Sequence, residues 1–247
     1  MMLRKLRNLV ASRGVLGTLE VVRTAAVQRV RGQLRRVSPE ARANAARDVA
    51  FDQSVGIDTH GKVPFGKLDV KDRDLDQLVA YQPSPPETVL TLIDRAKLDC
   101  ARFAFVDLGA GKGRPCFVAA RRPFRKIVGV EFSSDLCEAA RANLAALRDP
   151  ERRCADIAFA CHDATTYELP PGPCVIYMYN PFGAEPMGRL VTHLERSLAA
   201  QPRELWVLYY NAACRQLFDK SAAFTLLDAG EPMPNVPDPW AIYRSSH

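Results

Sequence analysis

The 247-residue chain lacks several features that define whole classes of protein. No apolar run approaches the roughly 20 residues that a membrane-spanning helix needs, and charged residues interrupt the early Leu and Val residues, unlike in a secretory signal. There is no C-x-x-C pair, and the odd number of cysteines, seven, fits free thiols in a reducing compartment. The four histidines are dispersed without metal-ligand spacing. We therefore expect a cytoplasmic protein without a metal site.

The excess positive charge is confined to the start of the chain. The first 47 residues hold 11 Lys and Arg but only 2 Asp and Glu, so the whole excess of +6 comes from this arm. On a helix its apolar residues would share one face, broken by Arg23: Leu16, Leu19, Val22, Val27, Val30, Leu34 and Val37. Such an arm can pack on its own domain, lie on an anionic membrane surface or contact nucleic-acid phosphates. The sequence favours packing slightly, keeps a peripheral membrane contact through residues 1–47 as the second role, and supports a nucleic-acid partner least.

The most informative stretch is Phe103-Ala-Phe-Val-Asp-Leu-Gly-Ala-Gly-Lys-Gly-Arg114. Its apolar start predicts a short buried strand in a parallel sheet covered on both faces. Gly109, Gly111 and Gly113 predict a turn that opens a helix and lets a ligand approach the backbone closely. Asp107, at the end of the strand, can accept hydrogen bonds from a ligand or from the turn. The stretch therefore predicts a nucleotide-like binding turn.

The spacing of the glycines distinguishes between nucleotide ligands. A dinucleotide turn, G-x-G-x-x-G, uses its third glycine for close helix–strand packing; Arg114 holds that position, and its side chain would stand between helix and sheet. A phosphate loop needs Ser or Thr after its lysine, whereas Gly113 follows Lys112. The D-x-G-x-G-x-G pattern instead resembles motif I of the class I S-adenosylmethionine-dependent methyltransferases. In that family the glycine turn bends around the adenosine and methionine parts of the cofactor.

This resemblance covers roughly residues 80 to 247 and implies S-adenosylmethionine as the cofactor. The apolar strand Lys126–Glu131 ends in a carboxylate that can accept from both hydroxyls of a ribose. After a third strand, Asp156–Cys161, Asp163 holds the place where the family commonly has an acceptor for the adenine amine. The cofactor residues implied in this part of the chain are Asp107, Gly109, Ala110, Gly111, Gly113, Glu131, Phe132, Asp163 and Ala164.

A fourth strand, Pro173–Tyr179, leads to the tetrapeptide Asn180-Pro-Phe-Gly. It resembles the N-P-P-[YF] motif of methyltransferases that modify amine or amide nitrogens, with one proline missing. The resemblance implies that Asn180, beside the cofactor, accepts hydrogens from the target N–H, and that Phe182 stacks on the substrate. Tyr179 and Phe182 can also face the sulfonium cation. A plain Asn-Pro turn that ends a strand is the alternative.

The segment Tyr81-Gln-Pro-Ser-Pro-Pro-Glu-Thr88 precedes a predicted helix, Val89–Ala96. It resembles the segment of some protein-lysine methyltransferases that folds over the methionine end of the cofactor, which would bring Tyr81 and Ser84 to the cofactor. A proline-rich linker explains the same residues equally well. Together with Phe51–His60 and Lys62–Gly66, this segment is predicted to form a lid over the acceptor pocket.

The fold prediction is a Rossmann-like, seven-stranded, mostly parallel sheet with helices on both faces, plus a helical N-terminal extension. Ser133, Ser134 and Asp135 offer an N-cap to the helix after the second strand, and Asn211 is predicted to cap a helix reaching about Lys220. Phe224–Leu227 and Trp240–Tyr243 are predicted to pair as the antiparallel strands that close the sheet.

The predicted parts are a basic arm (1–50), a lid segment (51–98) and a cofactor-binding domain (99–247). The resemblance is to bacterial members of the family with D-L-G-[SA]-G-K-G-R and Y-N-P-F motifs. The predicted function is methyl transfer to nitrogen of a protein side chain or a small molecule. Open alternatives are O-, S- or C-methylation with Asn180 structural, or a non-catalytic module recruited by the arm.

Overall fold

The computed structural model describes residues 39–64, 80–234 and 236–246. The chain divides into two units, residues 1–47 and 48–247, and helix α1 (Pro39–Val55) belongs to the second unit from Asp48 onward. The predicted apolar face from Leu16 to Val37 lies outside the described residues, so the roles of the arm stay predictions. No helix within the described ranges is long and apolar enough to cross a membrane.

A seven-stranded sheet forms the centre of the second unit. Its spatial order is β3-β2-β1-β4-β5-β7-β6. Strands β1 to β5 pair in parallel, and β7 and β6 extend the sheet by antiparallel pairing. The strands are β1 (Ala104–Leu108), β2 (Lys126–Glu131), β3 (Ile157–Cys161), β4 (Cys174–Tyr179), β5 (Leu205–Tyr210), β6 (Phe224–Gly230) and β7 (Trp240–Ser245). The predicted fold class is confirmed.

Helices cover both faces of this sheet. They are α2 (Pro86–Ala96), α3 (Arg114–Ala119), α4 (Ser134–Ala146), α5 (Ala184–Ala200) and α6 (Gln216–Asp219), with a short 3-10 turn at Cys100–Arg102. Successive strand residues point to opposite faces, so Phe105 belongs to one apolar cluster and Val106 to the other. The first cluster includes residues of α2, α3 and α4, and the second includes residues of α5 and α6.

The lid segment (51–98) contributes to the first apolar cluster. Val55 and Ile57 are buried there, together with Val89 and Leu92 of α2. Helix α1 also runs through the position, between residues 50 and 51, at which the sequence predicts a boundary between arm and lid. The described part of the lid is therefore packed on the sheet domain by apolar contacts.

The prediction that Asn211 caps a helix reaching Lys220 is wrong. Asn211 has a φ of 49°, and α6 begins only at Gln216. The Cys214 N–H donates to the hydroxyl oxygen of Tyr209 over 3.2 Å, which holds residues 211–214 as a turn against the end of β5. The Tyr209 hydroxyl thus accepts from a backbone N–H that, at the start of a helix, would need a capping side chain.

Candidate functional site

The carboxyl ends of neighbouring parallel strands carry most of the predicted site residues. The glycine turn, residues 109–113, follows β1, Glu131 ends β2, and Asn180 follows β4. The N–H groups of Gly109 and Ala110 both donate to the Val130 carbonyl oxygen, at 2.9 and 3.0 Å, so the turn folds against the end of β2. Ligands of open α/β sheets bind at this edge.

Two glycines of the turn are in close contact with other segments. A Cβ atom at Gly109 would lie 2.7 Å from Cβ of Pro181, and one at Gly111 would lie 2.2 Å from the Tyr81 ring. Both glycines have positive φ, 90° and 54°. The absence of side chains there thus allows the lid and the Asn-Pro turn to contact the glycine turn. Gly113, with φ of 92°, precedes α3 as its N-cap.

Glu131 is tied to the glycine turn by its own carboxylate. One oxygen accepts from the Gly111 N–H over 2.8 Å, and the other accepts from the Ser133 N–H over 3.0 Å. The side chain is buried, and burial raises the pKa of this carboxyl, whereas the two backbone donors oppose the rise. Ser133 also caps α4, as predicted, by accepting from the Leu136 N–H.

Asp107 lies on β1 with only 1% of its surface exposed. Burial raises its pKa well above the usual value, and the charge of Glu131 adds to the rise. Its hydrogen-bond partner within the described chain is the thiol of Cys116, 3.9 Å from Oδ2, which is a weak donor. Two buried carboxyl groups with raised pKa thus flank the glycine turn, and such groups often cluster at functional sites.

The turn after β3 lies beside the end of β2, because the His162 N–H donates to the Glu131 carbonyl oxygen over 2.9 Å. Asp163 is half-buried, and its Oδ1 accepts from both the N–H and the hydroxyl of Thr165 at 2.9 Å. Ala164 is buried. Phe132 is half-buried after β2, and its carbonyl oxygen accepts weakly from Cys161. These placements leave the predicted cofactor roles of the three residues untested.

Asn180 has a φ of 38°, in the left-handed region that asparagine tolerates. Its N–H donates to the Tyr210 carbonyl oxygen over 3.1 Å, and its Oδ1 accepts from the Tyr209 hydroxyl over 3.2 Å. The preceding residue, Tyr179, is half-buried, and its hydroxyl oxygen accepts from Gln82 of the lid over 2.8 Å. The lid therefore reaches the predicted acceptor residues as well as the glycine turn.

Phe182 is placed differently from the other predicted acceptor residues. It is only 8% exposed and belongs to the apolar cluster that includes Ala164 and Met187. In this conformation it offers little surface for stacking on a substrate. Its predicted role in catalysis remains a prediction, and the packing seen here would position the Asn-Pro turn.

Arg114 has a structural role that the sequence reasoning missed. It is 0% exposed, and its guanidinium donates to the Thr59 hydroxyl over 2.6 Å, to Asp52 over 3.1 Å, and to Asp48. It also donates to the Ser84 carbonyl oxygen over 3.4 Å. These partners all belong to the lid and α1. The spacing of Asp48 and Asp52, four residues apart on one helix face, was the available signal.

Tyr81 and Ser84 are held by this arrangement. The Tyr81 hydroxyl donates to the Thr59 carbonyl oxygen over 2.6 Å, and Tyr81 forms an isolated antiparallel bridge with Val63. Ser84 is buried and accepts from the Tyr177 hydroxyl over 3.0 Å. The lid is thus fixed on both sides of residues 65–79, with the Tyr81 ring against Gly111.

Asp52, Asp58 and His60 bring potential metal-ligand atoms within 4.8 Å of one another. The Asp52 oxygens already accept from Thr59, from His60 and from Arg114. Lys112 lies 3.4 Å from Asp58. Bonding to these donors and cations explains the cluster as an ion-pair network.

A separate groove of about 580 Å³ lies over strands β2 and β3. Val128, Ala158, Tyr167 and Leu169 are among the residues that line it, and none of the predicted cofactor residues does. At the glycine turn itself, Tyr81 and Pro181 both lie close against the backbone.

No family model and no curated protein matches this sequence. Among solved structures, the chain is similar to the 23S rRNA methyltransferase ErmE, at 16% identity and a TM-score of 0.43 over 64% of this chain and 66% of that one. It is also similar to magnesium protoporphyrin IX methyltransferase from Synechocystis PCC 6803, at 13% identity and a TM-score of 0.45 over 64% of this chain and 76% of that one. A third similar structure is the glycopeptide N-methyltransferase MtfA, at 13% identity and a TM-score of 0.49 over 66% of this chain and 95% of that one. At such values we base the function on this chain's own geometry.

Proposed function

We propose that this chain transfers a methyl group from S-adenosylmethionine to a nitrogen atom of a protein side chain or a small molecule. The observation that carries the proposal is the hydrogen bond from the Gly111 N–H to Glu131, 2.8 Å long, which joins the glycine turn to the acid that ends β2. Asn180 lies at the same sheet edge, after β4. A cofactor turn, a ribose acceptor and an amine-binding turn are thereby combined.

The residues present fit this cofactor. A carboxylate offers about four acceptor positions, so Glu131 can accept from two ribose hydroxyls while it holds the Gly111 and Ser133 N–H groups. The cofactor carries a positive sulfonium and a positive amino group, and nearby positive charge lowers the pKa of a buried carboxyl. Asp107, whose pKa is raised while no cation is near, would therefore be stabilised in its charged form. Tyr81 would cover the methionine end.

The protein's part in catalysis is alignment, which supplies much of the rate of an in-line displacement. When bound, S-adenosylmethionine supplies an electrophilic methyl group: the acceptor nitrogen bonds to its carbon while the carbon–sulfur bond breaks and its electron pair stays on sulfur. Asn180 Oδ1 and the adjacent backbone carbonyl would accept hydrogens from the acceptor nitrogen and so direct its lone pair. The Tyr179 ring would face the sulfonium cation.

Replacing Glu131 with glutamine tests the cofactor assignment. Hydrogen bonds to a charged group contribute about 1.5–3 kcal/mol, against about 1 kcal/mol for neutral pairs. The difference for two ribose bonds is about 1–4 kcal/mol, which predicts that the Kd for S-adenosylhomocysteine rises about 5- to 700-fold in calorimetry. Glu138→Gln, on the exposed side of α4, is the matched control and should bind normally. An unchanged Kd in a folded Glu131→Gln protein would make the ribose assignment wrong.

Replacing Asn180 tests the acceptor assignment. Glycine is the suitable replacement, because it tolerates the φ of 38° at this position. We expect turnover to fall at least about tenfold through lost alignment, with the cofactor Kd nearly unchanged. Transfer of tritiated methyl groups to the protein and metabolite fractions of a cell lysate measures turnover. An equal loss of turnover and affinity would place Asn180 in the cofactor site or the scaffold instead.

A further inference from the structure

Two tyrosines and one acid form a cluster where β4 and β5 end. Tyr179 and Tyr210 are register partners, and their ring centroids are 4.5 Å apart with a tilt of 35°. The Tyr210 hydroxyl donates to Oδ2 of Asp238 over 2.7 Å. Asp238 lies in the connection between β6 and β7. We call Tyr179, Tyr210 and Asp238 the tyrosine–aspartate cluster.

The tyrosine–aspartate cluster adjoins the residues assigned to the acceptor. The Asn180 N–H donates to the carbonyl oxygen of Tyr210, and Gln82 of the lid donates to the hydroxyl oxygen of Tyr179. Asp238 is therefore connected, through Tyr210, to the turn that would align the acceptor nitrogen. This contact is long-range in sequence, so no local motif indicates it.

The exposure of the three side chains assigns them different tasks. Tyr210 is fully buried, whereas Tyr179 and Asp238 are half-buried and can meet a ligand. Burial raises the pKa of the Tyr210 phenol, so this group stays protonated and keeps donating to Asp238. Tyr210 thus joins the other two residues: its hydroxyl holds the carboxylate of Asp238, and its ring packs against the ring of Tyr179.

A site that offers both an aromatic ring and a carboxylate suits a cation. The ring face attracts an ammonium group, and the carboxylate can accept a charge-assisted hydrogen bond from it. A phosphodiester would be repelled by the same carboxylate. Residues 48–247 carry 26 acidic against 23 basic side chains, so this unit has no overall excess of positive charge for a polyanion.

We propose that the methyl acceptor is a primary alkylamine, which binds as its ammonium against Tyr179 and Asp238. This inference depends on the proposed function. Before transfer, one N–H proton leaves to water and its bonding pair remains on nitrogen as the lone pair. The nitrogen then bonds to the methyl carbon as the carbon–sulfur bond breaks toward sulfur, which yields a secondary ammonium and a neutral thioether.

Sinefungin tests this inference without knowledge of the acceptor, because it carries a primary ammonium in place of the methyl-sulfonium group. We expect wild-type protein to bind sinefungin at least tenfold more tightly than S-adenosylhomocysteine in calorimetry. Asp238→Asn keeps an acceptor for Tyr210 but removes the charge. It should lower the ratio of sinefungin affinity to S-adenosylhomocysteine affinity to threefold or less, with unchanged S-adenosylhomocysteine affinity. Glu231→Gln, exposed in the same connection, should retain the ratio. Tyr210→Phe should lower it by releasing Asp238.

An Asp238→Asn protein that retains the wild-type ratio would overturn the amine inference while leaving the methyltransferase proposal standing. Failure of wild-type protein to bind either compound would overturn the proposed function itself. Two probes then distinguish the sources of an amine: tritiated methyl transfer to poly-L-lysine indicates a protein side chain, and transfer to cadaverine indicates a small molecule. Label in neither amine overturns the inference.

Discussion

Gly111→Ala is expected to abolish measurable binding of S-adenosylhomocysteine, with a loss of at least about a hundredfold in affinity. The added Cβ would lie 2.2 Å from the Tyr81 ring, so either the ring or the turn must move. The φ of 54° adds strain of about 1–2 kcal/mol for a residue with a Cβ. Movement of the turn also breaks the bond from the Gly111 N–H to Glu131, which orients the proposed ribose acceptor.

Gly61→Ala is a matched control for this variant. Gly61 also has a positive φ, 82°, but a Cβ there would meet no atom within 4 Å. It therefore carries the backbone strain without the clash, and we expect reduced stability with nearly normal binding. Calorimetry and thermal unfolding measure the two effects. Normal binding by Gly111→Ala would show that the cofactor does not use this turn.

Arg114→Met should lower the free energy of unfolding by about 3–5 kcal/mol, the usual cost when a buried ion pair loses one partner. Methionine retains an apolar side chain of similar reach but leaves Asp48 and Asp52 without the guanidinium that both contact. The lid would lose its bonds from Arg114 to Thr59 and to the Ser84 carbonyl oxygen. Urea unfolding measures the stability, and limited proteolysis within the lid reports its release.

The loss of folding stability in Arg114→Met should depend on pH. Burial raises the pKa of Asp48, and Arg114 opposes that rise, so its removal moves the pKa higher still. A raised carboxyl pKa means that the folded state holds more protons than the unfolded state, and stability then falls as pH rises from 3.8 through the folded-state value. The stability difference between wild-type protein and Arg114→Met should therefore become smaller in acid.

Arg122→Met is the control for charge removal at a surface. Arg122 also pairs with a carboxylate, Asp94, but the two side chains are 32% and 56% exposed. An exposed pair contributes at most about 1 kcal/mol. If Arg114→Met loses no more than Arg122→Met, the buried network is not what holds the lid.

The elements that follow local rules were predictable from the sequence. Strand β2 (Lys126–Glu131) has both predicted bounds, because an apolar run ending in a carboxylate is a local pattern. Ser133 caps α4 as expected from its position ahead of the apolar spacing. The antiparallel pair that closes the sheet was also predicted. The prediction that Asn211 caps a helix was wrong because the hydroxyl of Tyr209 accepts from the Cys214 N–H and holds a turn there instead.

The candidate site was predictable only where its residues lie next to one another in the sequence. The spacing from Asp107 to Gly113 indicates a binding turn. The contact of the Tyr81 ring with Gly111 was not indicated by any local pattern. The contacts of Arg114 to Asp48 and Asp52 join residues more than 60 positions apart. The spacing of the two acids on one helix face indicates a cation between them but does not indicate which residue supplies it. The burial of Phe182 likewise depends on packing that only the assembled sheet defines.

The Val63–Tyr81 bridge allows this protein to tolerate insertions between these two residues. Because the bridge joins the two ends of the intervening segment, each doubling of that segment's length costs only about 0.6 kcal/mol of closure entropy. Tyr81 keeps its place against Gly111 whatever the segment contains, since its hydroxyl is fixed on Thr59. Insertions between the two bridge residues can therefore accumulate at little cost to the glycine turn.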